Sequence, residues 1–562
     1  MTALHIGSGD RVAGAPFAGR SVVWGARGAA ATAHPAATLI AIDILRADGS
    51  AVDAAIAANA CLGLVEPTAC GIGGDVFALL WDPGSKTVVG LNGSGRSPRA
   101  LTLEVQRERA VAGRIWRQGA VSVSVPGVVD GWWMLHQRFG RLPWKALFEP
   151  AMELCEIGAP IPQTIAAAWR ANVMAWRLDP NARVEELVNM ERTFAPGGAT
   201  PPQAAVFRNP DLGRTYRRIA EGGREAFYEG EIAGIIESYF EHIGGWMTRE
   251  DLEAHQGEWT APLRTSYRGV EVWGLGPNTQ GLTTLQMLNL LEGFDLAAMG
   301  FQSAASLHHQ AEAKRLAFED RARFFADPAF AEIPVEWLLS KGYAKARAAL
   351  IRPDRLIQDI RPGQAPGHGD TTYLCAADSS GMMVSLIQSN FRGMGSGLVP
   401  DGLGFMFQNR GELFSLEDGH PNLYAPGKRP FHTIIPGFAT RSGQPWLAFG
   451  VMGGDMQPQG QVQIVTSLVD YGLGLQEAGD APRWRHEGSS EPVGGGDGGP
   501  GVLHLESGVP APTREALAGI GWRLDPTYGG FGGFGGYQAI ERRGEVYGAA
   551  SEMRKDGLAL AW

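Results

Sequence analysis

Apolar and polar positions along the chain follow helical spacing in some segments and strand-like runs in others. Residues 34–65 are rich in alanine and other small apolar residues at helical spacing, and a break at 47–50 predicts two packed helices. Similar spacing predicts helices at residues 281–292, 308–325, 460–471 and 512–520. Short apolar runs bounded by turn residues predict strands at residues 76–81, 88–91, 263–275, 372–377, 383–388 and 446–449.

The two parts of the chain differ in pattern. Residues 145–260 are mainly helical in spacing, whereas strand signals dominate after residue 371. Residues 122–131 predict a strand, a Pro-Gly break and then a helix. The charges on the predicted helix 308–325 are expected to form a solvated face with i,i+4 pairs and no chemistry; they are Glu312, Lys314, Arg315, Glu319, Asp320 and Arg321.

Glycine-rich turns recur along the sequence. The turn 70–75 suits either a close approach of two backbones or an anion cradle built from backbone N–H groups, and we favour the close approach. The run 530–535 has the formal GxGxxG spacing. It neither follows a clear strand nor opens a helix, so a dinucleotide site is not predicted. Thr248 and Asp251 have the spacing of a capping box at the start of a short helix.

Composition narrows the class of protein. The 562 residues are 44% hydrophobic and 19% charged with a net charge of −10, which indicates a globular protein and no nucleic-acid partner. The four cysteines form no CxxC pair, so neither a zinc knot nor a disulfide framework is predicted. The sequence contains no run of about 18 apolar residues, so no membrane span is predicted. The N-terminal residues lack a secretory pattern, and the expected location is cytoplasmic.

The candidate chemistry centres on the bond between Asp370 and Thr371, which follows a proline- and glycine-rich segment at 352–370. Self-cleavage there would give Thr371 a hydroxyl nucleophile and a free α-amine, which can act as its base. An α-amine has a pKa of about 8, so a useful fraction is neutral at physiological pH. Taken alone, the same residues also fit a turn that enters a half-buried strand.

Collinear motifs along nearly the whole chain strengthen the nucleophile interpretation. They are 43–55, 71–74, 125–127, 311–313, 370–372, 393–397, 427–430, 453–454, 470–473, 481–483 and 547–549. In this order they resemble the γ-glutamyltransferases and their cephalosporin-acylase-like relatives, which are N-terminal nucleophile hydrolases.

The resemblance implies an α+β fold, a four-layer αββα sandwich built from one self-cleaved precursor. The large segment would be residues 1–370, helix-rich, and the small segment 371–562, strand-rich and carrying the nucleophile. The two fragments would form a heterodimer, and a dimer of heterodimers is left open. The family acts on small amide substrates without a cofactor or metal, so no cofactor, metal, nucleic-acid or membrane partner is expected.

The resemblance also implies roles for particular residues. Thr371 would be the nucleophile and α-amine base, and cleavage would fall between Asp370 and Thr371. Gly453 and Gly454 match the glycine pair whose N–H groups form an oxyanion hole, whose donors contribute roughly 3–4 kcal/mol each in other hydrolases. Thr372 and Ser389 match hydroxyl residues near the nucleophile.

The acyl-binding positions depart from the γ-glutamyltransferase pattern. Leu413 replaces a carboxylate that holds the substrate ammonium, and His432 and Thr433 replace a serine pair. Arg410 stands at a glutamine-like contact and Phe391 at an asparagine. The family's carboxylate-binding arginine matches either Arg96 or, without a gap, Ser94; Arg96 equally fits an ordinary surface arginine. These changes favour an acyl group without an α-amine, such as glutaryl, whose free carboxylate an arginine would hold.

The expected function is therefore a self-processing amidohydrolase or acyltransferase that cleaves γ-glutamyl- or glutaryl-type amides. A genuine γ-glutamyltransferase or glutathione hydrolase is the alternative within the family. A non-catalytic, unprocessed scaffold is the alternative outside catalysis. Serine hydrolases of the α/β type and zinc amidases are not supported, since the sequence has no G-x-S-x-G elbow and no HExxH motif.

Overall fold

The structure is a computed structural model that describes residues 20–178, 184–358, 360, 372–489, 491–494, 499–525 and 533–562. Asp370 and Thr371 lie outside these residues, so the predicted cleavage site is not part of the description below. The described chain resumes at Thr372, which begins a strand.

Within the described residues the chain forms 18 strands. They are β1 Val23–Gly25, β2 Ala29–Thr32, β3 Asp75–Asp82, β4 Thr87–Gly93, β5 Ala159–Pro160, β6 Val206–Phe207, β7 Glu258–Thr260, β8 Leu263–Tyr267, β9 Val270–Gly274, β10 Thr372–Ala377, β11 Met383–Ser389, β12 Gly437–Arg441, β13 Gln444–Val451, β14 Trp484–Glu487, β15 Val502–Leu505, β16 Tyr537–Arg543, β17 Val546–Ser551 and β18 Leu558–Ala561.

The same residues form 18 α-helices. They are α1 Pro35–Arg46, α2 Ala51–Val65, α3 Leu103–Glu108, α4 Val128–Phe139, α5 Glu149–Ile157, α6 Gln163–Leu178, α7 Val188–Phe194, α8 Pro210–Tyr228, α9 Glu231–Ile243, α10 Arg249–Glu253, α11 Gly281–Leu291, α12 Leu296–Met299, α13 Ala304–Phe324, α14 Val335–Leu339, α15 Lys341–Ala348, α16 Met456–Val469, α17 Leu475–Asp480 and α18 Ala511–Ile520.

Two seven-stranded antiparallel sheets carry the fold. One has the order β1-β17-β16-β13-β12-β9-β8, and the other has the order β18-β2-β10-β11-β3-β4-β7. Each sheet combines strands from before residue 371 with strands from after it. For example, β2 lies between β18 and β10, and β3 pairs with β11. Both ends of the chain therefore build both sheets.

The alternation of side chains along the central strands separates the layers. On β10, Tyr373 and Cys375 face the other sheet, whereas Leu374 and Ala376 face the helices. The core between the sheets joins these inward side chains to Phe438, Ala448, Ile540 and other residues of the facing sheet. Helices including α1 and α2 cover the outer face of one sheet, and α11, α13 and α16 cover that of the other. The layers are therefore helix, sheet, sheet, helix.

Most predicted elements are confirmed. The helix pair is α1 and α2, and Ser50 begins α2 with a capping box closed by Asp53. The capping box between Thr248 and Asp251 is also present, at the start of α10. The predicted strand 263–275 is a hairpin, β8 and β9, with Arg268 at positive φ in its turn.

The glycine-rich turn 70–75 is a close backbone approach, as favoured from the sequence. A Cβ on Gly73 would lie 2.1 Å from the Met406 carbonyl oxygen, and one on Gly74 would lie 2.4 Å from the Ser389 carbonyl oxygen. Only glycine fits such spacing. This turn leads directly into β3.

Two expectations are wrong. Residues 122–125 form no strand, because the segment Ala120–Ser122 is a 3₁₀ turn and the extended residues after it pair with no sheet. The charged residues of α13 are not a solvated face. All six are buried, since α13 packs between α11 and α18 and its neighbouring loops on every side. Some of these charges pair with each other inside the protein, as Glu312 and Arg315 do at 2.7 Å.

One contact between the sheets places β10 against β13. A Cβ added to Gly450 on β13 would lie 2.4 Å from Cδ2 of the Tyr373 ring on β10. The ring is fully buried, and its hydroxyl lies 2.9 Å from the Ser385 hydroxyl. The absence of a side chain at Gly450 therefore lets the two sheets approach.

We predict that Gly450→Ala destabilises the protein by about 1–3 kcal/mol, because the new methyl group overpacks this contact. Differential scanning calorimetry or fluorimetry measures the change as a lower thermal midpoint. Gly519→Ala is the matched control, since no heavy atom outside its own helix lies within 4 Å of its added Cβ. A wild-type midpoint for Gly450→Ala would contradict the role of this contact.

Candidate active site

The first residues of β10 and β3 and the last residue of β11 lie side by side at one end of their sheet. Thr372 pairs with Gln388, and Ser389, the next residue of β11, pairs with Asp75. Thr372 is the first described residue after the predicted cleavage bond. The structure thus brings Thr372, Ser389 and Asp75 to the same end of the sheet.

Thr372 is fully buried and faces the helices, as Leu374 does. Its hydroxyl donates to Oε2 of Glu66 at 2.5 Å, and Nζ of Lys555 lies 3.4 Å from Oε1 of the same carboxylate. Glu66 caps the end of α2 and was not singled out from the sequence. The Glu66 carboxylate therefore holds the strand position next to the predicted nucleophile.

Ser389 lies at the end of β11 and is buried. Its hydroxyl accepts a hydrogen bond from the backbone N–H of Phe391 at 2.7 Å. Phe391 itself has a φ of 74°, an uncommon conformation for a residue with a side chain. The Ser389 hydroxyl thus fixes the sharp turn that presents the Phe391 ring.

Gly453 and Gly454 form the turn between β13 and α16, with φ values of 107° and 57°. Consecutive positive φ values favour glycine, and a Cβ on Gly453 would lie 3.2 Å from Cα of Gly535. Among the described residues, neither glycine N–H donates a hydrogen bond. Within the described chain these are two adjacent N–H groups without an acceptor, the kind of donor that an oxyanion hole uses.

Arg410 begins a 3₁₀ turn, Arg410–Leu413, and is fully buried. Its guanidinium carbon lies 4.1 Å from the centre of the Phe391 ring, and Nη1 donates to the Thr433 hydroxyl at 2.8 Å. Within the described chain Nε and Nη2 have no hydrogen-bond partner. Burial lowers the pKa of Arg410 to about 9, so the group is still a cation at neutral pH.

His432 and Asp75 lie beside Arg410 in the same buried region. Nε2 of His432 is 3.6 Å from Oδ2 of Asp75, and the imidazole packs edge-on against Phe77. Burial and the charges of Arg410 and Arg429 keep the pKa of His432 well below its usual value, so the ring is neutral. Burial raises the pKa of Asp75 to about 7, although Gly95 N–H, Arg410 and Arg429 oppose that rise.

Leu413 closes the apolar side of this region. It is buried in one cluster with Phe391 and Phe431, and with Leu282, Phe325, Leu338 and Val493. The neighbouring carboxylate, Glu412, lies 2.7 Å from Nε of Arg392. An incoming ammonium would therefore meet hydrocarbon at Leu413.

Arg96 has described polar partners other than Arg410, Thr433 and His432. Its Nη1 is 3.2 Å from Oδ2 of Asp327 and 3.2 Å from the Gly427 carbonyl oxygen, and its side chain is 38% exposed. Ser94, the other candidate, is buried and donates to Oδ1 of Asn92 at 2.6 Å. Among the described residues neither makes a hydrogen bond to Arg410, Thr433 or His432.

A chain of hydrogen bonds joins Arg410, through Thr433 and Gln280, to the turn of Gly453 and Gly454. The Gln280 carboxamide donates to the Thr433 carbonyl at 2.6 Å and to the Gly454 carbonyl at 2.9 Å. Arg321 of α13 donates to Oε1 of Gln280 at 2.6 Å and forms an ion pair with Asp455. Neither Gln280 nor Asp455 is predicted as a site residue from the sequence, and Arg321 is expected there only as a surface charge.

A small cavity of about 30 Å³ borders the same turn. Its lining includes Gly453, Asp455, Arg321, Lys314, His486 and Ser489. The buried Lys314 ammonium contacts the His486 ring at 3.1 Å and donates to Ser489 at 2.9 Å. Burial lowers the pKa of Lys314 to about 7. Buried polar groups therefore line the cavity next to the turn.

A search of the described ranges reveals no cluster of three or more His, Cys, Asp or Glu side chains that could hold a metal ion. In the same part of the chain, every helix is too short or too polar to cross a membrane.

Comparisons with known proteins identify the family of the chain. The family model for gamma-glutamyltranspeptidase matches residues 37–562. The glutathione hydrolase-like YwrD proenzyme of Bacillus subtilis is 37% identical over 442 residues, which are 78% of this chain and 81% of that protein. The acylase ACY 1 proenzyme of Pseudomonas sp. strain V22 is 32% identical over 509 residues, 89% of this chain and 88% of the relative.

A solved structure extends the comparison to the fold. The cephalosporin acylase from Bacillus halodurans superimposes with a TM-score of 0.89 at 38% identity, over 98% of each chain. The predicted α+β sandwich of the N-terminal nucleophile hydrolases is therefore confirmed. The chain belongs to the gamma-glutamyltranspeptidase family.

Proposed function

We propose that the protein is a self-processing amidohydrolase that removes dicarboxylic acyl groups, such as glutaryl, from amines through an ester on Thr371. The observation that carries this proposal is Arg410, a buried cation with two guanidinium nitrogens unpartnered among the described residues. A free carboxylate at the end of an acyl chain satisfies both nitrogens in a bidentate pair.

Maturation begins with attack of the Thr371 hydroxyl oxygen on the Asp370 carbonyl carbon. The peptide C–N bond breaks, an ester to Thr371 forms, and the nitrogen becomes the free α-amine. Water then hydrolyses the ester and releases the carboxylate of Asp370. The products are the fragments 1–370 and 371–562, which stay together as a heterodimer because strands of both build each sheet.

Turnover repeats the same chemistry on a substrate amide. The α-amine of Thr371 takes the hydroxyl proton while the oxygen attacks the carbonyl carbon. The N–H groups of Gly453 and Gly454 stabilise the negative oxygen of the tetrahedral intermediate. The leaving amine takes the proton, and water or a second amine then accepts the acyl group from Thr371.

The charges around Arg410 disfavour a γ-glutamyl group. Its α-ammonium would lie near a buried guanidinium, and two such charges about 4 Å apart repel by about 4 kcal/mol at an effective dielectric constant of 20. The nearest carboxylates offer little compensation. Glu412 lies against Arg392, and Asp75 is partly protonated at neutral pH. Leu413 supplies no charge at all.

The relatives support an acyl-transfer enzyme without deciding the acyl group. One is described as a glutathione hydrolase-like proenzyme, one as an acylase proenzyme and one as a cephalosporin acylase. The word proenzyme in two of these descriptions agrees with maturation by cleavage. A genuine γ-glutamyltransferase and an unprocessed scaffold are the outcomes that the experiments below separate from our proposal.

Replacement of the nucleophile tests the mechanism. We predict that Thr371→Ala gives one band on a denaturing gel where the wild type gives two, and abolishes amide hydrolysis. Thr371→Ser is the control, since it retains a hydroxyl and is expected to process and to turn over. Thermal midpoints verify that all three proteins fold. Two bands and unchanged turnover for Thr371→Ala would overturn the mechanism, and a single band for the wild type would favour the scaffold.

The acyl preference is tested with p-nitroanilides. We predict that wild type hydrolyses glutaryl-p-nitroanilide with a higher kcat/KM than γ-glutamyl-p-nitroanilide. Arg410→Gln should lower this ratio roughly 10- to 100-fold, because a hydrogen bond to a charged group contributes about 1.5–3 kcal/mol. Arg410→Gln with Leu413→Asp should lower it further.

Arg441→Gln is the matched control for that series, since Arg441 also stacks on an aromatic ring, at 4.0 Å from Trp446, on the protein surface. It should leave the ratio unchanged. A wild-type preference for the γ-glutamyl substrate would overturn the proposed acyl group and leave the threonine mechanism intact.

The pKa of Asp75 gives the acyl site a pH dependence. Above pH 7 the Asp75 carboxylate ionises near Arg410, Arg429 and His432 and repels a substrate carboxylate. We predict that KM for glutaryl-p-nitroanilide rises roughly 3- to 10-fold from pH 6 to pH 8, equivalent to about 1 kcal/mol. Asp75→Asn should flatten this profile. An acyl donor without the free carboxylate is the control, and an equal rise in its KM would contradict the assignment.

A further inference from the structure

We infer that Gln280 and Arg321 are positioning residues that fix the oxyanion turn relative to the acyl site. This inference rests on the proposed function, because it takes the Gly453–Gly454 turn as the oxyanion hole. Neither side chain touches the reacting atoms in this assignment. Both act by holding backbone groups that do.

The first turn of α16 orients one of the two donors. The Gly453 carbonyl accepts the Met456 N–H at 2.9 Å. Because the peptide unit is planar and trans, the Gly454 N–H of that unit points in the opposite direction, away from the helix. The orientation of this donor therefore depends on the next peptide unit staying in place.

Gln280 holds that next peptide unit. Its carboxamide nitrogen donates to the Gly454 carbonyl, which also accepts the Gln457 N–H at 3.1 Å. Glycine offers no side-chain restraint, and both glycines have positive φ. The turn would otherwise have freedom to rotate, so the buried hydrogen bond from Gln280 supplies the restraint that the glycines lack.

Gln280 also reaches the acyl site with the same nitrogen. Its second hydrogen bond goes to the Thr433 carbonyl, and the Thr433 hydroxyl accepts from Arg410. One carboxamide group thus joins the oxyanion donors to the residue that carries the carboxylate receptor. The distance between the two sets the separation of scissile carbonyl and terminal carboxylate in a bound substrate.

Arg321 orients this carboxamide. Its Nη1 donates to Oε1 of Gln280, which forces the amide nitrogen toward the two carbonyls. The same guanidinium forms the ion pair with Asp455, the residue after the glycines, and its charge lowers the Asp455 pKa although burial opposes this. Arg321 is 1% exposed, so these interactions are shielded from water.

The test is Gln280→Glu in the processed enzyme. Glutamate has the same shape and still accepts from Arg321, but it presents oxygen to two carbonyl oxygens. We expect kcat to fall roughly 10- to 100-fold. This is no more than the fall in kcat expected when an entire oxyanion donor is removed. KM for the acyl donor should change less than about twofold. Arg321→Lys should give a similar but smaller fall, since lysine has no bidentate fork.

Gln463→Glu is the matched control. Gln463 is also a buried glutamine whose nitrogen donates to two carbonyls, those of Gln459 at 3.1 Å and Trp484 at 2.9 Å. It lies on α16 away from the glycine turn. The same chemical change there should leave kcat within about twofold of wild type.

A binding measurement separates positioning from general stability. A boronic acid analogue of the acyl donor forms a tetrahedral adduct with Thr371 and tests the oxyanion hole, whereas glutarate tests the acyl site alone. We expect Gln280→Glu to lower the affinity for the boronate by the same factor as kcat falls, and to leave the affinity for glutarate unchanged. All constants are normalised to the cleaved fraction on a denaturing gel.

Several outcomes would overturn the inference. The first is that Gln280→Glu keeps the wild-type kcat and boronate affinity, and the second is that it loses affinity for the boronate and for glutarate equally. The third is that Gln463→Glu shows the same fall in kcat. The fourth is that Gln280→Glu folds but does not cleave itself, whereas Gln463→Glu does. Turnover by Thr371→Ala would instead overturn the proposed function itself. The two failures are therefore distinguishable.

Discussion

The close packing of two sheets across small residues is the constraint on which the rest of the structure depends. Tyr373 on β10 lies against Gly450 on β13, where no side chain intervenes. The first strand begins one residue after the proposed nucleophile, and the second ends two residues before Gly453. This contact, with the rest of the core between the sheets, thus fixes the segment after the proposed nucleophile relative to the Gly453–Gly454 turn. Precise placement of reacting groups is where most of an enzyme's advantage from proximity originates.

Buried charge gives the site its chemical character. Removing a guanidinium from water is costly unless it finds partners, and Arg410 has only part of its hydrogen-bonding capacity used by described residues. Stacking on Phe391 compensates in part. Arg321, by comparison, donates to Gln280 and forms an ion pair with Asp455 through its Nη1. The two arginines are buried to nearly the same degree, and only Arg321 forms an ion pair with a carboxylate at hydrogen-bonding distance among the described residues.

The sequence predicts the regular elements better than the buried polar ones. The helices α1 and α2 and the strand β10 follow from spacing and capping, because local pattern and tertiary burial agree there. The charges on α13 were placed wrongly, since a helix carrying Lys314 and Arg321 has the composition of an exposed surface. Only the tertiary structure shows that neighbouring elements cover every face of it.

The candidate site divides in the same way. The resemblance identifies Gly453 and Gly454 from the sequence, and the structure places them in a turn with positive φ; their role as oxyanion donors stays a prediction. The bridging role of Gln280 could not, since it depends on two carbonyls from distant parts of the chain. The location of Thr371 itself remains a prediction, because it lies outside the described residues.

The order of the strands has a consequence for what a cut between residues 370 and 371 can do. Because β2 is hydrogen-bonded between β18 and β10, and β3 is hydrogen-bonded to β11, neither piece contains a complete sheet of its own. Scission would remove one covalent bond and leave the ladders between the pieces intact, so the pieces could separate only if both sheets came apart. Such a molecule would have no separable subunit to exchange or dilute away, and its two polypeptides would melt as one.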